Sequence, residues 1–266
     1  MMSDGIANKS TEIVCLNCGT VCHDKFCPHC GQSTGVPPRL RMKNFGKGVL
    51  MSFGRLTPGF FTTAKGLMLH PWDVIRNHIH GRHILYSPPI TMLIQVYLYA
   101  AILYALVDGI FGTDIVKATD VDVNIVGYEG SNQMLKLIDS SLVLGTFMWG
   151  VPMCLCIYLG FYWHGARKFN FAEYLAAFFY MFAAISIYDF IFNLATVIPG
   201  VDFDVTYLTW IVCGIFSIVV LVKAFPQNRW WKYPILFLWS GFIIAFFFNV
   251  MTRIIFRLTG YNILAD

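Results

Sequence analysis

Five nearly charge-free runs, at about residues 89–111, 141–163, 171–198, 206–225 and 234–256, constrain this chain more than any other feature. A helix needs about 20 mostly apolar residues to traverse roughly 30 Å of hydrocarbon, and each run meets that length. Five such helices cannot share the interior of one soluble domain of 266 residues. A soluble surface needs charge, and this chain is 57% hydrophobic and 17% aromatic with only 13% charged residues. The fold class expected is therefore an all-α membrane protein, with residues 87–260 forming a five-helix transmembrane bundle. Pro88 and Pro89 suit the entrance of the first span, where a missing N–H removes no helical hydrogen bond.

The loops give the bundle a direction. Arg167 and Lys168 lie between the second and third runs, and Lys223, Arg229 and Lys232 between the fourth and fifth. The alternate loops are acidic: Asp114, Asp120, Asp122 and Glu129 stand against Lys117 and Lys136, and Asp202 and Asp204 stand alone. Basic residues favour the cytoplasmic side, so the N-terminal region and both basic loops are expected there. Trp163, Trp230, Trp231 and Tyr233 then fall at the inner interface, and Tyr207 and Trp210 at the outer. Five spans leave Arg253 and Arg257 near the outer face against the usual bias, so something should neutralise them.

Ahead of the first span the chain is polar and rich in cysteine. Cys15-Leu16-Asn17-Cys18-Gly19 and Cys27-Pro28-His29-Cys30-Gly31 are two CxxCG knuckles eight residues apart, in a segment with no preceding apolar signal. In a reducing cytoplasm paired cysteines are metal ligands more often than disulfides. Each CxxC turn sets two thiolates on one side of a tight loop, and the glycine after it tolerates positive φ. Cys15, Cys18, Cys27 and Cys30 are thus expected to close a tetrahedron around a structural Zn²⁺. So short a unit cannot bury enough apolar area alone, and a filled coordination sphere leaves no place for substrate. Cys22, His23 and His29 are read as surface residues outside the ligand set, and Cys154, Cys156 and Cys213 as small hydrophobes within spans.

Residues 1–36 are read as ribbon and tether, because Gln32 to Pro38 has the composition of a flexible linker. Residues 37–86 are read as a basic arm and interfacial helices. Between Gly31 and Tyr86 eight basic residues, Arg39, Arg41, Lys43, Lys47, Arg55, Lys65, Arg76 and Arg82, face one acid, Asp73. Beside a span such residues are drawn to anionic lipid headgroups by roughly 1 kcal/mol each, and a nucleic-acid partner is not expected. Pro71 should end one short helix near His70 and start another. His78, His80 and His83 share no helical face and are read, with His70, as solvated or headgroup-facing.

At this point the sequence resembles a family of bacterial multi-pass membrane proteins of unknown function with an N-terminal zinc ribbon. The resemblance rests on Cys15-x2-Cys18-Gly19, Phe26-Cys27-Pro28-x-Cys30-Gly31-Gln32, Thr63-x3-Leu67-x3-Pro71, Ile75, Gly81-Arg82, Tyr86 and Pro89. It covers about the first hundred residues; Pro71, Arg76, Arg82 and Tyr86 are read as interfacial positions. It implies a location, the bacterial inner membrane with a cytoplasmic N-terminus, and a metal, but no activity.

Ionisable groups inside spans are costly, so each is a functional hypothesis. Ser186, Asp189, Asn193 and Thr196 follow helical spacing along one face, and Asn249 and Arg253 lie at similar depth on the last span. Asp189, Asn193, Asn249 and Arg253 are read as a polar cluster joining two helices, with a transporter-like pathway as the sharper alternative; Gln95 and Asp108 could join either. No phosphate-binding glycine loop, nucleophile elbow, HExxH or paired carboxylates occur, which leaves catalysis without candidates and a lipid-modifying enzyme as a minor alternative. The leading functional expectation is a non-catalytic adaptor or assembly factor that presents its ribbon to a cytoplasmic protein partner. Self-association is left open, because small residues form no sustained face.

Overall fold

The computed structural model describes residues 13–35, 40, 59–111, 150–162, 168–195, 206–226 and 229–259. Among them are a two-stranded sheet, β1 (Ile13–Val14) and β2 (Val21–Cys22), and seven helices. These are α1 (Phe60–Leu69), α2 (Pro71–Ile79), α3 (Pro89–Phe111), α4 (Val151–Tyr162), α5 (Phe171–Ala195), α6 (Thr206–Ala224) and α7 (Lys232–Thr259). The protein is mostly helical, and two of its helices, over Pro89–Val107 and Phe171–Phe192, are long and apolar enough to cross a membrane. The remaining three apolar runs also carry helices. The loops of residues 112–149 and 196–205, which hold most of the expected charge bias, lie outside the described residues.

The first two helices form where the proline places them. α1 stops at His70, and Pro71 occupies the first turn of α2, where its missing N–H leaves no gap in the helical ladder. Gly66 permits the sharp fold-back: a Cβ there would lie 2.7 Å from Cγ2 of Val74. α2 ends in a Schellman turn, with Arg82 N–H bonded to the Asn77 carbonyl at 2.9 Å, Gly81 N–H to the His78 carbonyl at 3.1 Å, and Gly81 at φ 80°.

α5 is the pillar. It packs against α1, α2, α3, α4 and α6, while α7 packs against α4 and α6. Its N-terminus is closed by Glu173, whose buried carboxylate accepts the Asn170 N–H at 2.7 Å, the reach-back of a capping box. Near that end Tyr174, Phe161, Phe225 and Tyr233 are all buried. The Tyr174 and Phe225 ring centroids are 4.5 Å apart, and the Tyr233 hydroxyl donates to the Phe225 carbonyl at 3.1 Å.

The α1–α2 hairpin is built into this body and does not merely rest on it. Leu67, Val74, Ile75 and Ile79 share one continuous core with Phe178, Tyr180 and Ala184 of α5 and Leu221 of α6. Tyr188 donates its hydroxyl to the Met68 carbonyl. At the other edge Arg76 donates to the Lys223 carbonyl in the last turn of α6, and the Lys223 ammonium lies 3.8 Å from the Trp72 ring centroid. The apolar face of α2 is therefore directed at protein.

Candidate metal centre

The two knuckles are folded by the same hydrogen bonds in the same register. Gly19 N–H bonds the Cys15 carbonyl at 2.9 Å, and Gly31 N–H bonds the Cys27 carbonyl at 2.9 Å. Cys15 N–H reaches the Thr20 carbonyl at 2.9 Å, and Cys27 N–H the Gln32 carbonyl at 2.8 Å. Gly19 and Gly31 sit at φ 77° and 74°, the left-handed region that a Cβ disfavours by roughly 1–2 kcal/mol. Val14 pairs with Val21 around the first knuckle and Phe26 with Ser33 around the second, each flanking its CxxC alike.

This repetition aims four sulfurs at one point. Sγ of Cys15 lies 3.6 Å from Sγ of Cys30, Sγ of Cys18 lies 3.5 Å from Sγ of Cys27, and all four fall within 4.8 Å of one another. A disulfide would need about 2.05 Å, and all eight cysteines of the chain are free. Ligands about 2.3 Å from a tetrahedral cation stand about 3.8 Å apart, close to the separations found. Crowding so many thiols spreads their acidities. Cys18 is lowered to about 5 by the Thr20 hydroxyl and amide, and Cys30 is raised to about 11 because burial and the Cys15 and Cys18 sulfurs outweigh the Gln32 amide. A cation at the centre would favour the thiolate form of all four. The four residues can hold a metal ion.

Around this set the expectations divide. His23 and His29 are exposed, as expected of non-ligands. Cys22 is not a surface residue: it is 1% exposed, packs under the cluster and donates its thiol to the Thr20 carbonyl at 3.3 Å, so it serves as the floor of the ribbon. The segment after the second knuckle is not wholly a free tether either. Gln32 is 3% exposed, and its side-chain amide donates to the Gly81 carbonyl at 2.8 Å while its oxygen accepts the His83 N–H at 3.2 Å. The ribbon is thereby fastened to the loop between α2 and α3.

Behind that fastening lies a polar chain which sequence reasoning missed. His78 and His83 are brought together by the Schellman turn, with Nδ1 atoms 3.1 Å apart and ring centroids 4.4 Å apart. Tyr180 donates to the Ser87 carbonyl at 2.6 Å, which commits its only proton. His78 Nδ1 stands 3.2 Å from the Tyr180 oxygen, which is left as an acceptor, and 3.1 Å from Nδ1 of His83, with the tautomers setting which ring donates. His78 is buried and His83 half-buried, and burial holds both imidazoles below the ordinary histidine range. The reading of these two as solvated is overturned, because a turn and not a helical face unites them; His70 and His80 are exposed as expected.

The interfacial set is dispersed around the same junction. Pro71 is buried at the start of α2, Arg76 caps α6, and Arg82 donates to Asn77 Oδ1 at 3.3 Å. The Tyr86 hydroxyl accepts from Asn77 Nδ2 at 3.4 Å. Of the expected polar cluster, Asp189 is half-buried and lies within electrostatic reach of Cys213 on α6, and its helical neighbour Ser186 returns its hydroxyl to the Phe182 carbonyl at 2.9 Å. The side chains of Asn193, Asn249, Arg253 and Asp108 lie outside the described residues. Family models, curated proteins and solved structures were compared with the chain, and none matches.

Proposed function

We propose that this protein is a five-span bacterial inner-membrane protein that holds a four-cysteine zinc ribbon in a fixed orientation at the cytoplasmic face, as a docking head for a protein partner. Support for the bundle comes from its surface. Leu98, Ile102 and Leu106 on α3, and Leu238, Phe242 and Phe246 on α7, form outward stripes at four-residue spacing, each side chain 49–70% exposed. A water-soluble protein rarely shows such continuous apolar faces, whereas hydrocarbon covers them without cost. The basic loops, with exposed Trp230 and Trp231, then belong at the inner leaflet. Zinc is the ion that four thiolates in a tetrahedral array suit best.

The observation that carries the reading is the fastening through Gln32. A freely tethered head would not need a buried glutamine bridging two backbone groups of the membrane domain, whereas a head that must face one way does. The ribbon leaves Ile13, Val14, Val21 and Phe26 exposed, an apolar strand surface of the kind that another chain can cover. Its closed coordination set offers no site for catalysis. A photocrosslinker at Phe26 in the full-length protein in membranes tests this directly: one discrete cytoplasmic product should form, and it should vanish when Cys15 and Cys27 are changed to serine. Capture of lipid alone, or a product unaffected by loss of the metal site, would refute it.

A further inference from the structure

The turn that leads into α7 holds a cation without a counter-ion among the described residues. Lys232 is the first residue of this helix, 6% exposed, and its Nζ is buried with no hydrogen-bond partner among the described residues. A buried ammonium needs an acceptor, and the local surroundings worsen the need. Arg229 stands three residues earlier on the exposed side of the same turn, the helix N-terminus adds partial positive charge, and the first turn carries no acid. Burial, and then the Arg229 charge, lower the proton affinity of Lys232. The Trp231 ring centroid lies 5.9 Å from Nζ, too far to substitute for an anion, and the two exposed tryptophans flank the turn as residues of a lipid interface do.

We propose that the 229–232 turn binds a phosphate-bearing anion, with Lys232 as its buried contact, Arg229 as its exposed contact, and the Trp230 and Trp231 rings beside it. Phosphate oxygens supply the acceptors the ammonium lacks, and a helix N-terminus favours the same charge. The site differs from the basic arm in residues, in place and in being partly enclosed. Its ligand is the phosphodiester of an anionic lipid in the inner leaflet or free inorganic phosphate, which share this chemistry.

The test uses the full chain, stripped of lipid and placed in phosphatidylcholine nanodiscs with or without phosphatidylglycerol, with retained lipid counted by native mass spectrometry. Wild type should retain phosphatidylglycerol over phosphatidylcholine, and Lys232→Met should reduce that retention about tenfold or more, the loss of one charge-assisted contact. Arg229→Gln, altered only on the exposed side, should show a smaller loss and answers the question if the Met variant fails to fold. Inorganic phosphate added in phosphatidylcholine alone separates the sources: a rise in melting midpoint for wild type and not for Lys232→Met, without lipid preference, assigns the site to free phosphate. Equal retention and equal midpoints for wild type and both variants would overturn the proposal, as would a Lys232→Met stabilisation that is the same in every medium.

Discussion

Replacing Gln32 by alanine should release the ribbon from the helical body without emptying its metal site. The side chain makes two hydrogen bonds, to the Gly81 carbonyl at 2.8 Å and from the His83 N–H at 3.2 Å. Neutral hydrogen bonds of this kind contribute about 1 kcal/mol each, and a buried group left unpaired adds about 1–3 kcal/mol until water reaches it. The docked state should therefore lose about 2–5 kcal/mol, a fall of roughly 30- to 5000-fold in the docked-to-undocked ratio. The metal should remain, because the knuckle uses the Gln32 backbone carbonyl, which accepts from Cys27 N–H at 2.8 Å, and not the side chain. Amide hydrogen exchange reads this directly, since the Gln32 side chain is the acceptor that covers the His83 amide. Its protection should collapse in Gln32→Ala while the metal content of the purified protein stays that of the wild type. Gln32→Glu should restore one of the two bonds, because a carboxylate accepts from His83 but cannot donate to Gly81. An unchanged His83 exchange rate in Gln32→Ala would refute the fastening, and loss of zinc would show that the side chain supports the knuckle itself.

Three further outcomes follow from the geometry. Cys15→Ser with Cys27→Ser should abolish stoichiometric zinc in the purified protein, whereas Cys22→Ala should keep it at a cost of about 1 kcal/mol in ribbon stability, measured by elemental analysis and chelator resistance. Because the folded pKa values of His78 and His83 lie below the unfolded value of about 6.5, the pair supports the fold fully above that pH. Stability should then fall on acidification by about 1.4 kcal/mol per pH unit for each imidazole, and His78→Asn, which keeps a donor but does not titrate, should flatten the melting midpoint measured from about pH 7 to 5. At the α4–α7 contact a Cβ on Gly160 would run into the Leu236 side chain, so Gly160→Val should destabilise by about 1–3 kcal/mol and Leu236→Ala should recover part of it; a Gly160→Val variant as stable as wild type would contradict this packing.

What could be read from the residues beforehand, and what could not, follows from the range of the forces concerned. Pro71, the two CxxCG strings and the charge-free runs act through the local backbone or through solvent, so helix ends at His70 and Pro71, the ligand set and the long apolar helices were visible in one dimension. Cys22 was misplaced because a cysteine beside a metal site looks polar in sequence, and only the turn that tucks its thiol toward Thr20 makes it floor. Gln32, Gly81, His78, His83 and Tyr180 depend on contacts up to 102 residues apart in sequence, which no periodicity announces. Yet several of them had a trace. Gln32 directly follows the second CxxCG string and Gly81 follows the helix that Pro71 starts, and Thr63, Leu67, Ile75 and Tyr86 surround the junction. Thr63 accepts the Ser87 N–H at 2.8 Å while Leu67 and Ile75 are buried beneath. These positions form one joint between ribbon and hairpin. On the proposed reading, the functional question then moves from what a metal held by the four cysteines does to what the mounted surface touches.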